Sequence, residues 1–207
     1  MSLRGRVGLF GGTFNPLHNA HILVARTALA QYDLSKIVFI PNGTPPHEKP
    51  LLGIGREDRY SMVRAAIEPY AAFAVSRIEI DREGPSYTID TIRALKDDYP
   101  QGVCFIVGAD RLVAIETWKE PEALLRIVPF VIAPRGGVSL EVFAEPPFTA
   151  AAVHPLDMME VDLSSSGLRE KVRRGAPIEG SVPPEVARYI DEHGLYRTET
   201  LTRVQNT

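Results

Sequence analysis

The feature that most constrains the fold is an alternation of short, unbroken apolar runs with amphipathic stretches. Val7 to Phe10, Ile37 to Ile40, Phe73 to Ile80, Val103 to Val107 and Phe130 to Ala133 read as five strands. Ala20 to Tyr32 lies between the first two, and its Ile22, Leu23, Ala25, Leu29 and Ala30 share one helical face. Arg56 to Ile67 and Tyr87 to Asp98 read as further helices, the latter with Ile89, Ile92 and Leu95 recurring. Strands alternating with helices predict an α/β protein with a doubly wound parallel sheet, helices on both faces. Continuously apolar strands fit a sheet covered on both sides. In such sheets ligands bind beyond the carboxyl ends of the strands, so chemistry is expected just after each strand.

The chain has 207 residues, enough for one domain over 1–207, with residues 164–207 as a helical extension packed on it. Gly136 to Pro155 is rich in Gly, Pro and Ala and gives no secondary-structure signal, although a short strand is expected at Met158 to Val161. Ser164 to Arg174 and Pro184 to His193 read as helices, with Ser164 or Ser165 as N-cap of the first and Gly194 ending the second. A net charge of -3 argues against a surface that coats nucleic acid, which needs clustered cations. The single cysteine, Cys104, sits in an apolar run and reads as a buried structural thiol. No apolar run is long enough to span a bilayer and no leader pattern is visible, so no membrane partner and a cytoplasmic location are expected.

The strongest chemical signal is Gly11-Gly12-Thr13-Phe14-Asn15-Pro16-Leu17-His18-Asn19-Ala20-His21, between the first strand and the first helix. Paired glycines admit a polyanion close to the backbone, and a helix start offers free N–H groups. His18 and His21, three apart, share a face of that first turn. Rival turns do not fit. A P-loop needs Gly-Lys, which occurs nowhere in the chain. A dinucleotide-binding turn needs G-x-G-x-x-G and an acidic residue closing the second strand, but Pro41-Asn42 stands there. No HExxH sequence or cysteine pair suggests zinc.

This segment resembles the GGTFDPxHxGH signature of the nicotinate mononucleotide adenylyltransferase family, within the wider HxGH nucleotidyltransferases. Further segments resemble that family in order: Pro45-Pro46-His47-Glu48-Lys49, Pro85-Ser86-Tyr87-Thr88, Phe105 to Asp110 with Trp118 downstream, Leu163-Ser164-Ser165-Ser166-Gly167-Leu168-Arg169, and His193-Gly194-Leu195-Tyr196. Only about Gly136 to Val153 lacks a counterpart. The resemblance implies a Rossmann-like fold and transfer of the adenylyl group of ATP to nicotinate mononucleotide, with release of pyrophosphate. It implies that Gly11, Gly12, Thr13, His18, His21, Gly108, Asp110, Ser164, Ser166 and Arg169 bind ATP. His18, His21 and Arg169 would be catalytic, stabilising charge on the transferring and leaving phosphates. Phe14, Asn42, His47, Lys49, Tyr87, Thr88, Trp118, Lys119 and Arg135 would face the mononucleotide, with Trp118 stacking on the pyridine ring. Mg²⁺ is implied, held mainly by ATP and water, with no metal cage of protein residues.

Four positions depart from the family pattern. Ala20 replaces the glycine of HxGH, Asn15 the usual Asp, Ser166 a Thr, and Gly167 a larger helical residue. The first turn alone is also compatible with phosphopantetheine adenylyltransferase, cytidylyltransferases, or transfer to nicotinamide mononucleotide. Ala20 further admits a non-catalytic nucleotide-binding member. A class I aminoacyl-tRNA synthetase is disfavoured, because no KMSKS-like segment is present.

Overall fold

A computed structural model describes residues 2–44 and 54–197. In chain order the first half runs β1 (Val7–Gly12), α1 (Asn19–Gln31), β2 (Lys36–Pro41), α2 (Arg56–Ile67), β3 (Phe73–Val75) and α3 (Thr88–Leu95). The second half runs β4 (Val103–Gly108), α4 (Ala109–Leu112), α5 (Pro121–Ile127), β5 (Phe130–Ala133), β6 (Val153–Pro155), α6 (Ser165–Arg173) and α7 (Pro184–Glu192). The six strands form one sheet in the order β3-β2-β1-β4-β5-β6, and every pairing is parallel.

The apolar runs explain the two-sided core. Successive strand residues point to opposite faces. Phe10, Ile37, Phe39, Cys104, Ile106 and Val131 join one buried cluster, which takes in side chains of α1, α2, α6 and α7. Val7, Leu9, Val38, Ile40, Phe105, Val107, Phe130 and Ile132 join the other, under α3, α4 and α5. A strand buried on both faces has no use for polar residues, hence the unbroken runs. The C-terminal helices are integral to the first cluster through Leu168, Val186, Ile190, Leu195 and Tyr196.

Three sequence expectations need correction. The strand expected over Phe73 to Ile80 ends at Val75. The Ser76 N–H still bonds the Phe39 carbonyl at 2.9 Å, and then the chain turns, with the Asp81 N–H on the Arg77 carbonyl at 2.9 Å. The turn still buries Ile80, so the apolar signal was real and its geometry was not extended. The expected strand at Met158 to Val161 is not one: the edge strand lies earlier, at Val153–Pro155, and Met159 is 88% exposed. The silent stretch before it holds two 3₁₀ turns, Leu140–Ala144 and Phe148–Ala150, which bring the Phe143 and Phe148 rings to 5.0 Å. The helix expected over Tyr87 to Asp98 is α3 followed by a 3₁₀ turn, Lys96–Asp98. The helices α4 and α5 had no counterpart in the sequence reading.

The strand order reverses at β1, whose neighbours β2 and β4 lead the chain outward in opposite directions. A crevice therefore opens beyond the carboxyl ends of β1 and β4.

Candidate active site

Two adjoining cavities fill that crevice. The larger, about 520 Å³, is bordered by all ten residues expected to bind ATP: Gly11, Gly12, Thr13, His18, His21, Gly108, Asp110, Ser164, Ser166 and Arg169. The smaller, about 200 Å³, is bordered by Asn42, Tyr87, Thr88, Trp118 and Lys119. Gly11, Gly12, Thr13, Val107 and Arg111 border both, so the β1–α1 turn is the wall between them. Phe14 and Arg135, expected on the mononucleotide side, instead border the larger cavity. His47 and Lys49 lie outside the described residues.

The two glycines of the turn have a duty that sequence reasoning did not assign. A Cβ on Gly11 would stand 2.8 Å from the Phe105 ring, and one on Gly12 3.0 Å from the Phe14 ring. Their missing side chains make room for aromatic packing as well as for a ligand. Phe14 in turn packs edge-on against Phe10, at 5.5 Å, and against His21, at 5.1 Å.

His18 caps α1 and is buried, with 1% of its surface exposed. Its ring stacks on that of His21, with centroids 3.7 Å apart. Burial, and then the positive charge of Arg135, hold the His18 pKa down at about 4. Burial, the neighbouring His18 and Arg135 hold His21 well below its ordinary value too. Both imidazoles are therefore neutral at pH 7. The His18 backbone N–H donates to His21 Nδ1 at 3.1 Å. That bond makes Nδ1 the acceptor, so neutral His21 carries its proton on Nε2 as a donor. Neither ring nitrogen of His18 has a hydrogen-bond partner among the described protein atoms, which suits a group that meets a ligand or water in the cavity.

The start of α6 is tied to this turn. Ser164 is its N-cap, its hydroxyl accepting from the Gly167 N–H at 3.2 Å. Ser165 Oγ donates to the Pro16 carbonyl at 2.9 Å, and Arg169 Nη1 to the Asn15 carbonyl at 2.7 Å. The Asn15 side chain accepts a bond from the Tyr196 hydroxyl at 2.7 Å. Two helix N-termini, α1 and α6, thus border one cavity along with Arg111, Arg135 and Arg169. Backbone N–H groups at helix starts and fixed guanidinium groups together suit a polyphosphate. Asp110, at the start of α4, pairs through Oδ2 with Arg135 Nε at 3.7 Å, and its other oxygen, Oδ1, is buried with no hydrogen-bond partner among the described residues, suited to accept from a hydroxyl.

The smaller cavity is apolar on one wall and polar on the other. Trp118 sits edge-on to Phe105, with centroids 6.3 Å apart. Lys119 lies over the Tyr87 ring at 4.9 Å and pairs with Asp90 at 2.9 Å. Asn42 continues the β1–β2 ladder by one bond, its N–H on the Gly12 carbonyl at 3.0 Å. Two residues here escaped sequence reasoning. Glu79 is buried, accepts from the Thr91 hydroxyl at 2.6 Å, and has its pKa raised by burial. Arg59, on α2, is wholly buried and bonds the Thr13 and Gly43 carbonyls. The available signal for Arg59 was a charge on the apolar stripe of Met62, Val63, Ala66 and Ile67.

This geometry can be set beside known proteins. The cytidylyltransferase-like family matches residues 9–171. A relative named "Probable nicotinate-nucleotide adenylyltransferase" from Carboxydothermus hydrogenoformans is 40% identical over 198 residues, covering 93% of this chain and 98% of its own. The chain belongs to the nicotinate-nucleotide adenylyltransferase family. A second member of that name, from Synechococcus sp. (strain JA-3-3Ab), is 39% identical over 198 residues, covering 92% of this chain and 94% of its own. Among solved structures, the Plasmodium falciparum nicotinic acid mononucleotide adenylyltransferase complexed with NaAD superposes with a TM-score of 0.77. It covers 93% of this chain and 98% of its own at 18% identity, which establishes the shared fold. As in sequence, so in space, the family's ordered motifs converge: the His18 turn, Gly108 and Asp110, and the Ser164 segment border one cavity of this family member.

Proposed function

We propose that the protein transfers the adenylyl group of ATP to nicotinate mononucleotide, giving deamido-NAD and pyrophosphate in NAD biosynthesis. Family membership and one geometric observation carry this reading. A polyphosphate-suited cavity and a Trp118-bordered cavity meet at the Gly11–Thr13 turn, where two anions would have to be brought together. The mononucleotide phosphate oxygen attacks the α-phosphorus of ATP. A new P–O bond forms, the bond to the bridging oxygen breaks, and pyrophosphate leaves. No enzyme nucleophile takes part; burial pushes the thiol of Cys104 up to about 12, far from a reactive thiolate. Catalysis is then alignment and charge stabilisation.

In this reading His18 and His21 contact the ATP phosphates. His21 Nε2–H would donate to the transferring phosphate without bringing a second full charge into a site already rich in arginine. Ser164, Ser166, Arg169 and the α6 N–H groups receive the leaving pyrophosphate, and Thr13 holds the turn. Asp110 Oδ1 accepts from ribose hydroxyls, and Gly108 leaves room beside it. Asn42, Tyr87, Thr88 and Trp118 hold the mononucleotide. Phe14 supports the turn from below, and Arg135 serves the ATP side. Backbone amides of the Thr88 and Trp118 regions, which border the smaller cavity, would favour a carboxylate over an amide on the pyridine ring. Mg²⁺ would come bound to the triphosphate, neutralising its oxygens; among the described residues no cluster of three or more His, Cys, Asp or Glu is placed to hold it. No helix among the described residues is long and apolar enough to cross a membrane. The cytoplasm, where ATP is abundant and a lone thiol stays reduced, is the compartment this reading implies.

The test is to incubate the protein with ATP, Mg²⁺ and either nicotinate or nicotinamide mononucleotide, following dinucleotide and pyrophosphate. The nicotinate form should react strongly in preference. His21→Ala should lower kcat by about 10²–10³-fold, the range for losing one donor to a developing phosphate charge. No product from either mononucleotide would overturn the assignment. Turnover of phosphopantetheine would then mark a sibling transferase, and ATP binding without pyrophosphate release a silent binding protein.

A further inference from the structure

Arg59 is an anomaly on its helix. It occupies the first position of the buried stripe of α2, followed by Met62, Val63, Ala66 and Ile67, and its side chain is 0% exposed. A leucine there would extend the stripe and avoid the cost of taking a charge out of water. Arginine is seldom fully buried unless its donors are matched. Here two of its nitrogens meet backbone carbonyls. Nη1 donates to the Thr13 carbonyl and Nη2 to the Gly43 carbonyl, each at 3.0 Å.

Those two carbonyls belong to the two walls of the active crevice. Thr13 is in the turn that borders both cavities, and Gly43 follows Asn42, which borders the smaller one. β1 and β2 pair in register up to Gly12 and Pro41, and the Asn42 N–H on Gly12 adds one bond more. Past that point both strands have ended. The Arg59 fork supplies the next rung. Gly43 is also pinned from its other side. Its N–H donates to Ser86 Oγ at 3.2 Å, and a Cβ there would stand 1.9 Å from the Glu79 carbonyl oxygen. Arg59 thus fastens the triphosphate turn to an otherwise fixed mononucleotide wall.

We propose that Arg59 is a positioning residue for the transfer step, setting the separation between the bound mononucleotide phosphate and the α-phosphorus of ATP. The inference rests on the adenylyl-transfer reading above. A group that aligns two bound reactants acts on kcat more than on either KM. Lysine cannot span both carbonyls, because it presents one nitrogen instead of a planar fork.

The experiment compares wild type, Arg59→Met and Arg59→Lys, by steady-state kinetics and by single-turnover quench-flow with both substrates saturating. Arg59→Met should lower the single-turnover rate by at least about tenfold, in line with the sensitivity of reaction to misplacement of about an ångström. Both KM values should change by less than about threefold, since binding of each substrate alone is retained. Arg59→Lys should fall between, restoring one of the two tethers. If Arg59→Met does not fold, Arg59→Lys carries the test by the same criterion. A folded variant with the wild-type single-turnover rate and only a lower Tm overturns the inference and leaves the activity standing. A rise in KM at unchanged kcat overturns it as well. A wild-type protein that forms no dinucleotide overturns the adenylyl-transfer reading and the inference with it.

Discussion

Acidification should destabilise this protein through His18 in particular. The residue is 1% exposed, its ring stacks 3.7 Å from that of His21, and neither nitrogen has a hydrogen-bond partner. Burial first, and Arg135 second, lower its pKa from 6.5 to about 4. The folded state therefore takes up this proton at lower pH than the unfolded chain does. Between those two values the unfolded chain holds more protons, so acid favours unfolding. The contribution is fully present above pH 6.5 and is lost as pH falls through about 4. At about 1.4 kcal/mol per pH unit, the loss should be about 2 kcal/mol at pH 5 and about 3 kcal/mol at pH 4. For a chain of this size the first figure is a fall in Tm of about 4–8 °C. The assay is thermal or urea unfolding at pH 7 and pH 5 for wild type and His18→Asn. Carboxylate titrations are common to both and cancel in the difference. Removing His18 also removes one cause of the depressed His21 pKa, so the variant should be less acid-sensitive on both counts. A non-hydrolysable ATP analogue should shrink the wild-type loss, because bound phosphates favour the imidazolium. Equal losses for wild type and variant between pH 7 and 5, within about 0.5 kcal/mol, would refute the reasoning.

Three other perturbations probe separate parts of the site. Trp118 is the sole tryptophan and borders the smaller cavity, so nicotinate mononucleotide should quench the intrinsic indole fluorescence and ATP alone should not; quenching by ATP alone would place the ring elsewhere. Gly43→Ala would set a methyl 1.9 Å from the Glu79 carbonyl oxygen, and should cost about 1–3 kcal/mol in urea unfolding, as overpacking does, and raise KM for the mononucleotide more than for ATP. Ala20 lies in the first turn of α1 and borders the larger cavity; Ala20→Gly should lower stability by about 1 kcal/mol and leave kcat within about threefold. An inert natural protein beside an active Ala20→Gly variant would show instead that the methyl blocks the phosphate path.

Sequence reasoning reached what local pattern controls. β1, β2, β4 and β5 were legible because burial on both faces leaves unbroken apolar runs, as in Val103 to Val107. The His18 turn, Asp110 and Ser164 were legible because each follows or starts an element whose end points into the crevice. What stayed hidden depended on partners far away in the chain. Arg59 shows in sequence only as a charge on an apolar stripe, and its duty appears when the Thr13 and Gly43 carbonyls are placed beside it. Phe14 and Arg135, expected to face the mononucleotide, border the larger cavity, because a motif gives order along the chain and not which cavity a side chain borders. The 136–155 segment gave no signal since its two short 3₁₀ turns have no repeat long enough to show periodicity, and Phe143 and Phe148 find each other only in the fold.

The fastening of Asn15 gives the molecule a temporal order. Its carbonyl is held by Arg169 and its side chain by Tyr196, groups 154 and 181 positions further along the chain. A ribosome delivers the histidine turn well before these ties. Contacts so distant in sequence also carry a larger loop-closure cost than local ones. A growing chain can therefore assemble most of the sheet while its phosphate turn is still slack. The turn is fully tied only once the segment reaching Tyr196 is in place.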